Sequence, residues 1–142
     1  MKSKIIDVLK KEIKKCSKSD DVPVAAAIVL DNNVIASSRN SRIKNNDILG
    51  HAEIQVINKM IKKTKSKNLS LYSLIVTLKP CLMCIAAIEQ CNIKNVYYFL
   101  ENEKCDYSKY KTNIIFIKEE LNEDDTFKKT LKDFFKNLRN TM

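Results

Sequence analysis

The sequence predicts an α/β fold in which helices cover a partly parallel β-sheet. Strand-like and helix-like segments alternate through the central part of the chain, an order typical of layered α/β architectures. The length of 142 residues fits one domain over residues 1–142. Apolar residues make up 44% of the chain, and no apolar run approaches the ~18 residues that cross a bilayer, so the sequence predicts no membrane association.

The individual elements follow from apolar periodicity. A first helix is predicted over residues 1–16, where Ile5, Leu9 and Ile13 recur near helical spacing. A buried run over residues 24–30 and a second one over 34–38, separated by polar residues, predict a hairpin. The remaining predictions are a helix over 52–63, a strand over 71–78, a helix over 81–90, strands over 95–100 and 114–117, and a last helix over 124–140.

Two short motifs carry the chemistry. His51 and Glu53 stand at the start of one predicted helix, and Pro80, Cys81 and Cys84 stand at the start of another. Residues three apart on the first turn share a face, so both thiols can bind one ion, and the helix N-terminus favours thiolates. One imidazole and two thiolates leave a tetrahedral zinc ion with an open position, which is typical of catalytic sites. The combination H-x-E with P-C-x-x-C indicates a zinc nucleobase deaminase.

The matching motifs extend over nearly the whole chain. They are Val22–Ala26, Arg39-Asn40, His51–Ile54, Val76–Leu78, Pro80–Cys84 and Asp133–Phe135. With these motifs the chain resembles the bacterial TadA-type tRNA adenosine deaminases of the cytidine deaminase-like superfamily. The resemblance implies a three-layer α/β/α fold with a mixed sheet of about five strands. It also implies hydrolytic deamination of adenosine to inosine at the wobble position of a tRNA anticodon, one Zn²⁺ per chain and a homodimer.

The resemblance further assigns roles to individual residues. Glu53 is expected to be the catalytic proton shuttle, and His51, Cys81 and Cys84 are expected to bind the zinc ion. Asn40 matches the family's base-binding asparagine, since an amide both donates and accepts hydrogen bonds. The full set of expected substrate-binding residues is Asn40, Ala52 and Val24. Candidate contacts to the tRNA anticodon stem-loop are Arg39, Arg42, Phe134, Phe135, Lys136 and Arg139.

Charge and cysteine content bear on partner and compartment. The formal net charge of +9 suits a polyanionic partner, although a lysine-rich genome bias would produce it too. The N-terminal residues lack the uninterrupted apolar core of a signal peptide, so we expect a cytoplasmic protein. Cys16, Cys91 and Cys105 are then expected to be reduced structural residues.

Two features depart from the family pattern, and two alternative functions stay open. Lys79 stands where the family usually has glutamate, and residues 101–113 form a shorter segment without the family's glycine-containing pattern. One alternative is deamination of a free base or nucleoside, such as guanine or cytidine, by the same chemistry. The other is a zinc-binding, non-catalytic partner subunit of a deaminase complex, in which Glu53 would not need to be retained.

Overall fold

The computed structural model describes residues 3–120 and 126–140. In chain order the elements are α1 (Ser3–Cys16), β1 (Ala25–Leu30), β2 (Asn33–Arg39), α2 (Arg42–Asn45), α3 (Ala52–Thr64), β3 (Ser73–Leu78), α4 (Leu82–Gln90), β4 (Asn95–Leu100), a 3₁₀ helix (Tyr107–Lys109), β5 (Ile115–Lys118) and α5 (Thr126–Asn140). None of the helices in these ranges has the length and apolar character that crossing a membrane requires.

The sheet has the strand order β2-β1-β3-β4-β5. Strand β1 pairs antiparallel with both β2 and β3, while the β3–β4 and β4–β5 pairs are parallel. Every strand except β1 therefore runs in one direction, and β2, β3, β4 and β5 all end at the same edge of the sheet. We call this edge the site rim, because the chain enters α3 and α4 from it.

The apolar core lies on both faces of the sheet. On one face, Ala26, Ile28 and Val76 pack against α3 and α4 through residues such as Val56 and Ile85. On the other face, alternate strand residues pack against α1 and α5, and the ring of Phe127 from α5 lies 5.2 Å from that of Phe99 in an edge-to-face contact. Because successive strand side chains point to opposite faces, one sheet serves both helix layers. The predicted three-layer α/β/α fold is confirmed.

The boundaries differ from the predictions in a few places. The third strand begins at Ser73 instead of residue 71, and Leu71 is exposed in the turn before it. Two short helices, α2 and the 3₁₀ helix, lie in segments that the sequence predicts as connections. Residues 1–2 and 124–125 of the predicted first and last helices lie outside the described residues.

Candidate metal centre and active site

His51 is the N-cap residue of α3. Its backbone is extended (φ −70°, ψ 147°), and its side chain makes no capping hydrogen bond to the helix. The capping is done from outside, because Asn40 Oδ1 accepts a hydrogen bond from the Ala52 N–H at 2.8 Å. The His51 imidazole therefore does not cap the helix, as an N-cap side chain commonly does, and it faces the site instead.

Cys81 holds the equivalent position at the start of α4. It is an N-cap residue with extended backbone (φ −74°, ψ 173°) and no capping side-chain hydrogen bond, and its carbonyl accepts the first helical bond from Ile85 N–H at 2.9 Å. Cys84 follows one turn later and is buried. The two helix N-termini thus present one imidazole and two sulfur atoms to a common point at the site rim.

The distances suit a single metal ion. His51 Nδ1 lies 3.7 Å from Cys81 Sγ and 3.5 Å from Cys84 Sγ, and the three ligand atoms all lie within 4.8 Å of one another. Zinc bonds of ~2.3 Å to sulfur and ~2.0 Å to nitrogen, at a tetrahedral angle, would place nitrogen and sulfur ~3.5 Å apart. The donor set and its spacing therefore fit a zinc ion.

The three groups also influence one another's ionisation. A hydrogen bond from the Cys84 thiol, together with one from His51, lowers the pKa of Cys81 to about 4 in spite of burial. Conversely, the hydrogen bond to Cys81 and burial raise the pKa of Cys84 far above its usual value. The hydrogen bond to Cys81 also raises the pKa of His51. These contacts favour a thiolate at Cys81 and a thiol at Cys84, whereas a bound cation would favour thiolates at both positions.

Glu53 lies beside the cluster without belonging to it. It is the second residue of α3, and its side chain is only 3% exposed. Burial raises the pKa of Glu53 to about 7, although its own backbone N–H and the charge of His51 act in the opposite direction. A carboxyl group in this environment can both accept and donate a proton near neutral pH.

The expected substrate-binding residues meet in one place. Asn40 accepts from Ala52 with its side chain, and its backbone N–H donates to the Val24 carbonyl at 3.0 Å. All three residues are buried at the site rim, next to His51. Because the Asn40 oxygen is engaged by Ala52, the group that Asn40 offers to a ligand is its amide N–H donors.

The Arg39 side chain forms its contacts within the protein. Its guanidinium donates to Ser19 Oγ at 2.8 Å and to the Asn40 carbonyl at 3.0 Å, and it forms an ion pair with Asp21 at 3.3 Å. Side-chain exposure is 11% for Arg39 and 1% for Asp21, so this guanidinium is not presented to a partner. Arg42, by contrast, is exposed at the start of α2.

The aromatic pair of α5 lies on the opposite helix layer. The Phe134 and Phe135 rings pack edge to face at 5.3 Å, and Lys104 Nζ covers the Phe135 ring at 4.6 Å. Phe134 lines a groove of about 780 Å³ between α1 and α5, which reaches Asp21 and Pro23. Lys136 and Arg139 are exposed on the same helix.

Two residues of the site were not predicted from the sequence. Asp21 accepts hydrogen bonds from the Ile43 and Lys44 N–H groups at 2.7 and 3.3 Å and so fixes the start of α2. Tyr107 donates to the Pro80 carbonyl, directly before Cys81, at 2.7 Å. A buried acid next to a loop and a tyrosine in an atypical segment are weak signals, and only the three-dimensional contacts show what these residues do.

Comparisons with known proteins also indicate a deaminase. The sequence profile of the MafB19-like deaminase family matches residues 2–139. A tRNA-specific adenosine deaminase of Rickettsia felis (strain ATCC VR-1525 / URRWXCal2) is 36% identical over 132 residues, which are 84% of this chain and 90% of that relative.

Solved structures extend the comparison. A structure from biochemical and structural studies of A-to-I editing by tRNA:A34 deaminases at the wobble position of transfer RNA has a TM-score of 0.78 and 28% identity, with 92% of this chain and 100% of that chain covered. A guanine deaminase from Bacillus subtilis has a TM-score of 0.64 and 24% identity over 99% of this chain and 95% of that one, which shows a shared fold alone.

Proposed function

Since the chain belongs to the MafB19-like deaminase family and is similar over most of its length to tRNA-specific adenosine deaminases, we propose that it deaminates adenosine to inosine in tRNA, at the wobble position of the anticodon. The observation that carries this proposal is the cluster of His51, Cys81 and Cys84 with the buried Glu53 beside it.

In the proposed reaction, adenosine and water give inosine and ammonia. His51, Cys81 and Cys84 would hold one Zn²⁺ per chain, which supplies Lewis acidity that lowers the pKa of a water molecule. Glu53 would take one proton from that water and deliver it to the ring nitrogen next to the carbon under attack. It would then move the second proton, from the new hydroxyl group on that carbon, to the amine, so that the carbon–nitrogen bond breaks, a carbonyl forms and ammonia leaves. Glu53 lies two residues after His51 at the start of α3 and is buried, and this burial keeps bulk water away from a group that transfers protons.

Substrate recognition is proposed to begin at Asn40. Its amide N–H groups would donate to the target base, while Val24 and Ala52 would line the pocket that receives it. An adenine must leave its stack before it can enter such a pocket, so unpaired loop nucleotides are the preferred substrates. This requirement favours an anticodon loop over duplex RNA.

Contacts to the RNA backbone are proposed for exposed basic residues near the site rim and on α5. Arg42 lies at the rim, and α5 presents Lys136 and Arg139 to solvent. Phe134 borders the groove toward α1, whereas Phe135 lies beneath Lys104. Of the two rings we therefore propose Phe134 as the one that stacks on a base. Arg39 is left out of this set because its guanidinium is engaged internally.

A homodimer in the cytoplasm is also part of the proposal. Ile43, Ile48 and Leu49 are 65%, 73% and 50% exposed in the connection that leads to His51. Apolar side chains of this kind would be covered if a second copy packed beside the site rim. Static light scattering of the zinc-loaded protein would give twice the monomer mass of 16.4 kDa if a dimer forms, and the monomer mass would contradict it.

The experiment that tests the function compares substrates. Zinc-loaded protein alone would be assayed against an anticodon stem-loop RNA, the same RNA with guanosine at the wobble position, free adenosine, cytidine and guanine. We expect inosine only in the first RNA, with a KM that rises steeply with salt because RNA binding releases counterions. Turnover of a free base or nucleoside would support the small-molecule deaminase instead. Absence of turnover with every substrate would support a non-catalytic partner subunit.

A further inference from the structure

The segment 101–113, in which the sequence departs from the family pattern, lies against α4. Its 3₁₀ helix places the Tyr107 hydroxyl 2.7 Å from the Pro80 carbonyl and 3.2 Å from the Lys79 carbonyl. One hydroxyl hydrogen is thus shared between the two peptide groups that precede Cys81. Proline has no N–H, so its carbonyl is the only main-chain group through which Pro80 can be fixed by a hydrogen bond.

Lys79 ties the same loop to the sheet through its side chain. Its Nζ lies 4.2 Å from the ring centroid of Tyr107, 5.3 Å from that of Tyr98 and 4.9 Å from that of Phe116, which is the range for cation–π attraction. Its backbone N–H donates to the Leu100 carbonyl at 2.9 Å. The lysine that is atypical for the family therefore occupies a cage of three aromatic rings.

We propose that Tyr107, together with Lys79, is a positioning residue that holds Cys81 and Cys84 in place for the metal ion. Cys81 is an N-cap residue without a capping side-chain hydrogen bond, and the peptide that precedes it helps to set the position of its sulfur atom. The Tyr107 hydroxyl fixes that peptide by a hydrogen bond, and Lys79 holds the Tyr107 ring in place by a cation–π contact. This inference rests on the proposed function, because it presumes that the cluster binds a metal.

The chain contains a matched control. Tyr110 lies three residues from Tyr107 in the same segment and also uses its hydroxyl, which donates to Glu89 near the other end of α4. Thr112 donates to the same carboxylate at 2.9 Å. A substitution of Tyr110 therefore loosens the segment from α4 without touching the peptides before Cys81. General loosening and loss of positioning can be told apart by comparing the two tyrosines.

The test measures zinc release without any RNA. Wild-type protein, Tyr107→Phe and Tyr110→Phe would be loaded with zinc, mixed with a chromogenic chelator, and followed by absorbance. Loss of one hydrogen bond predicts release about two- to tenfold faster for Tyr107→Phe, whereas Tyr110→Phe should release zinc at nearly the wild-type rate. Cobalt-substituted protein gives a second readout, since the thiolate-to-cobalt absorption should change in Tyr107→Phe and stay unchanged in Tyr110→Phe.

Several outcomes would overturn the proposal. Wild-type release from Tyr107→Phe, or equally fast release from both variants, would show that the hydroxyl does not position the ligands. Should Tyr107→Phe fail to fold without metal, Lys79→Met keeps the hydroxyl and must still speed release relative to Tyr110→Phe. These results are independent of the substrate assay: a wild-type protein that retains zinc but deaminates nothing overturns the proposed function alone.

Discussion

The two helix N-termini that form the site are held by different means. The α3 end, which carries His51 and Glu53, is fixed by polar contacts: Asn40 caps the helix, and the buried pair of Arg39 and Asp21 supports the connection before it. The α4 end, which carries both cysteines, is fixed by Tyr107 and by rings around Lys79. The α3 end thus combines the proposed proton shuttle with a charged support, whereas the α4 end carries two of the three proposed metal ligands on an aromatic support.

The largest expected effect separates proton transfer from metal binding. Glu53→Ala should reduce deamination of the stem-loop RNA on the order of 10³-fold, because general acid–base catalysis typically contributes that much. Zinc content should stay at the wild-type level, because Glu53 is not one of the three proposed ligands. Turnover would be measured with saturating RNA, and zinc by elemental analysis.

Glu89→Gln is the matched control for that change, since it alters a partly exposed carboxylate near the C-terminal end of α4, away from the cysteines. It should leave turnover unchanged. Near-wild-type turnover in Glu53→Ala would show that another group moves the proton.

The second prediction removes the charged support of the α3 end. Asp21→Asn leaves the Arg39 guanidinium, 11% exposed, without its anion. Breaking a buried pair in this way should lower the free energy of unfolding by about 3 kcal/mol. Urea unfolding of the metal-free protein would measure it. Asp31→Asn, at an exposed turn, is the control and should stay within about 0.5 kcal/mol of wild type; equal stability of both variants would mean that the ion pair contributes little.

The third prediction concerns the pH dependence of the same support. Burial alone would raise the pKa of Asp21, but hydrogen bonds from Ser19, Ile43 and Lys44 and the charge of Arg39 lower it below its ordinary value of 3.8. A lowered pKa means that the stabilisation is complete above about pH 4 and is lost as the pH falls through the folded-state value. The difference in urea midpoint between wild type and Asp21→Asn should therefore shrink from pH 7 to pH 3. A constant difference would contradict this origin.

The smallest expected effect also falls at the α3 end. A Cβ atom at Gly50 would lie 2.9 Å from the Arg42 nitrogen and 2.9 Å from the Ser41 carbonyl carbon, and these backbone atoms cannot rotate away. Gly50→Ala should therefore cost about 1–3 kcal/mol of stability through overpacking. Urea unfolding measures this loss, and an unchanged midpoint would show that the loop shifts freely. The local sequence around Gly50 does not reveal this close approach, because the opposing backbone belongs to Ser41 and Arg42.

Periodicity predicted most elements because they are buried on at least one side. The run Ala25–Leu30 and the spacing of Ile5, Leu9 and Ile13 show in the sequence the faces that the core later covers. Helix α2 escaped prediction because its four residues have no buried side chain, and its start is fixed by Asp21, 22 positions away from Ile43 in the chain.

The residues of the site likewise divide into those that the sequence predicts and those that it does not. His51, Cys81 and Cys84 could be selected from the sequence by residue type and spacing, and their ligand atoms do lie within 4.8 Å of one another. Their supports could not: Tyr107 reaches 27 positions back to Pro80, and Arg39 pairs with an acid 18 positions before it. Such contacts depend on the order of strands in the sheet, which local sequence does not encode.

The single reversed strand has a practical consequence. Because β1 alone runs against its neighbours, the hairpin turn at Asp31 and Asn32 lies at the far side of the sheet from the ligands, together with the ends of α3 and α4. Both turn residues are exposed and adopt positive φ, which marks a tight, solvent-facing corner. An affinity tag, fluorophore or fusion partner inserted at this corner would be displayed on the side of the sheet opposite the site rim, so we expect immobilisation or labelling there to leave the proposed metal centre undisturbed.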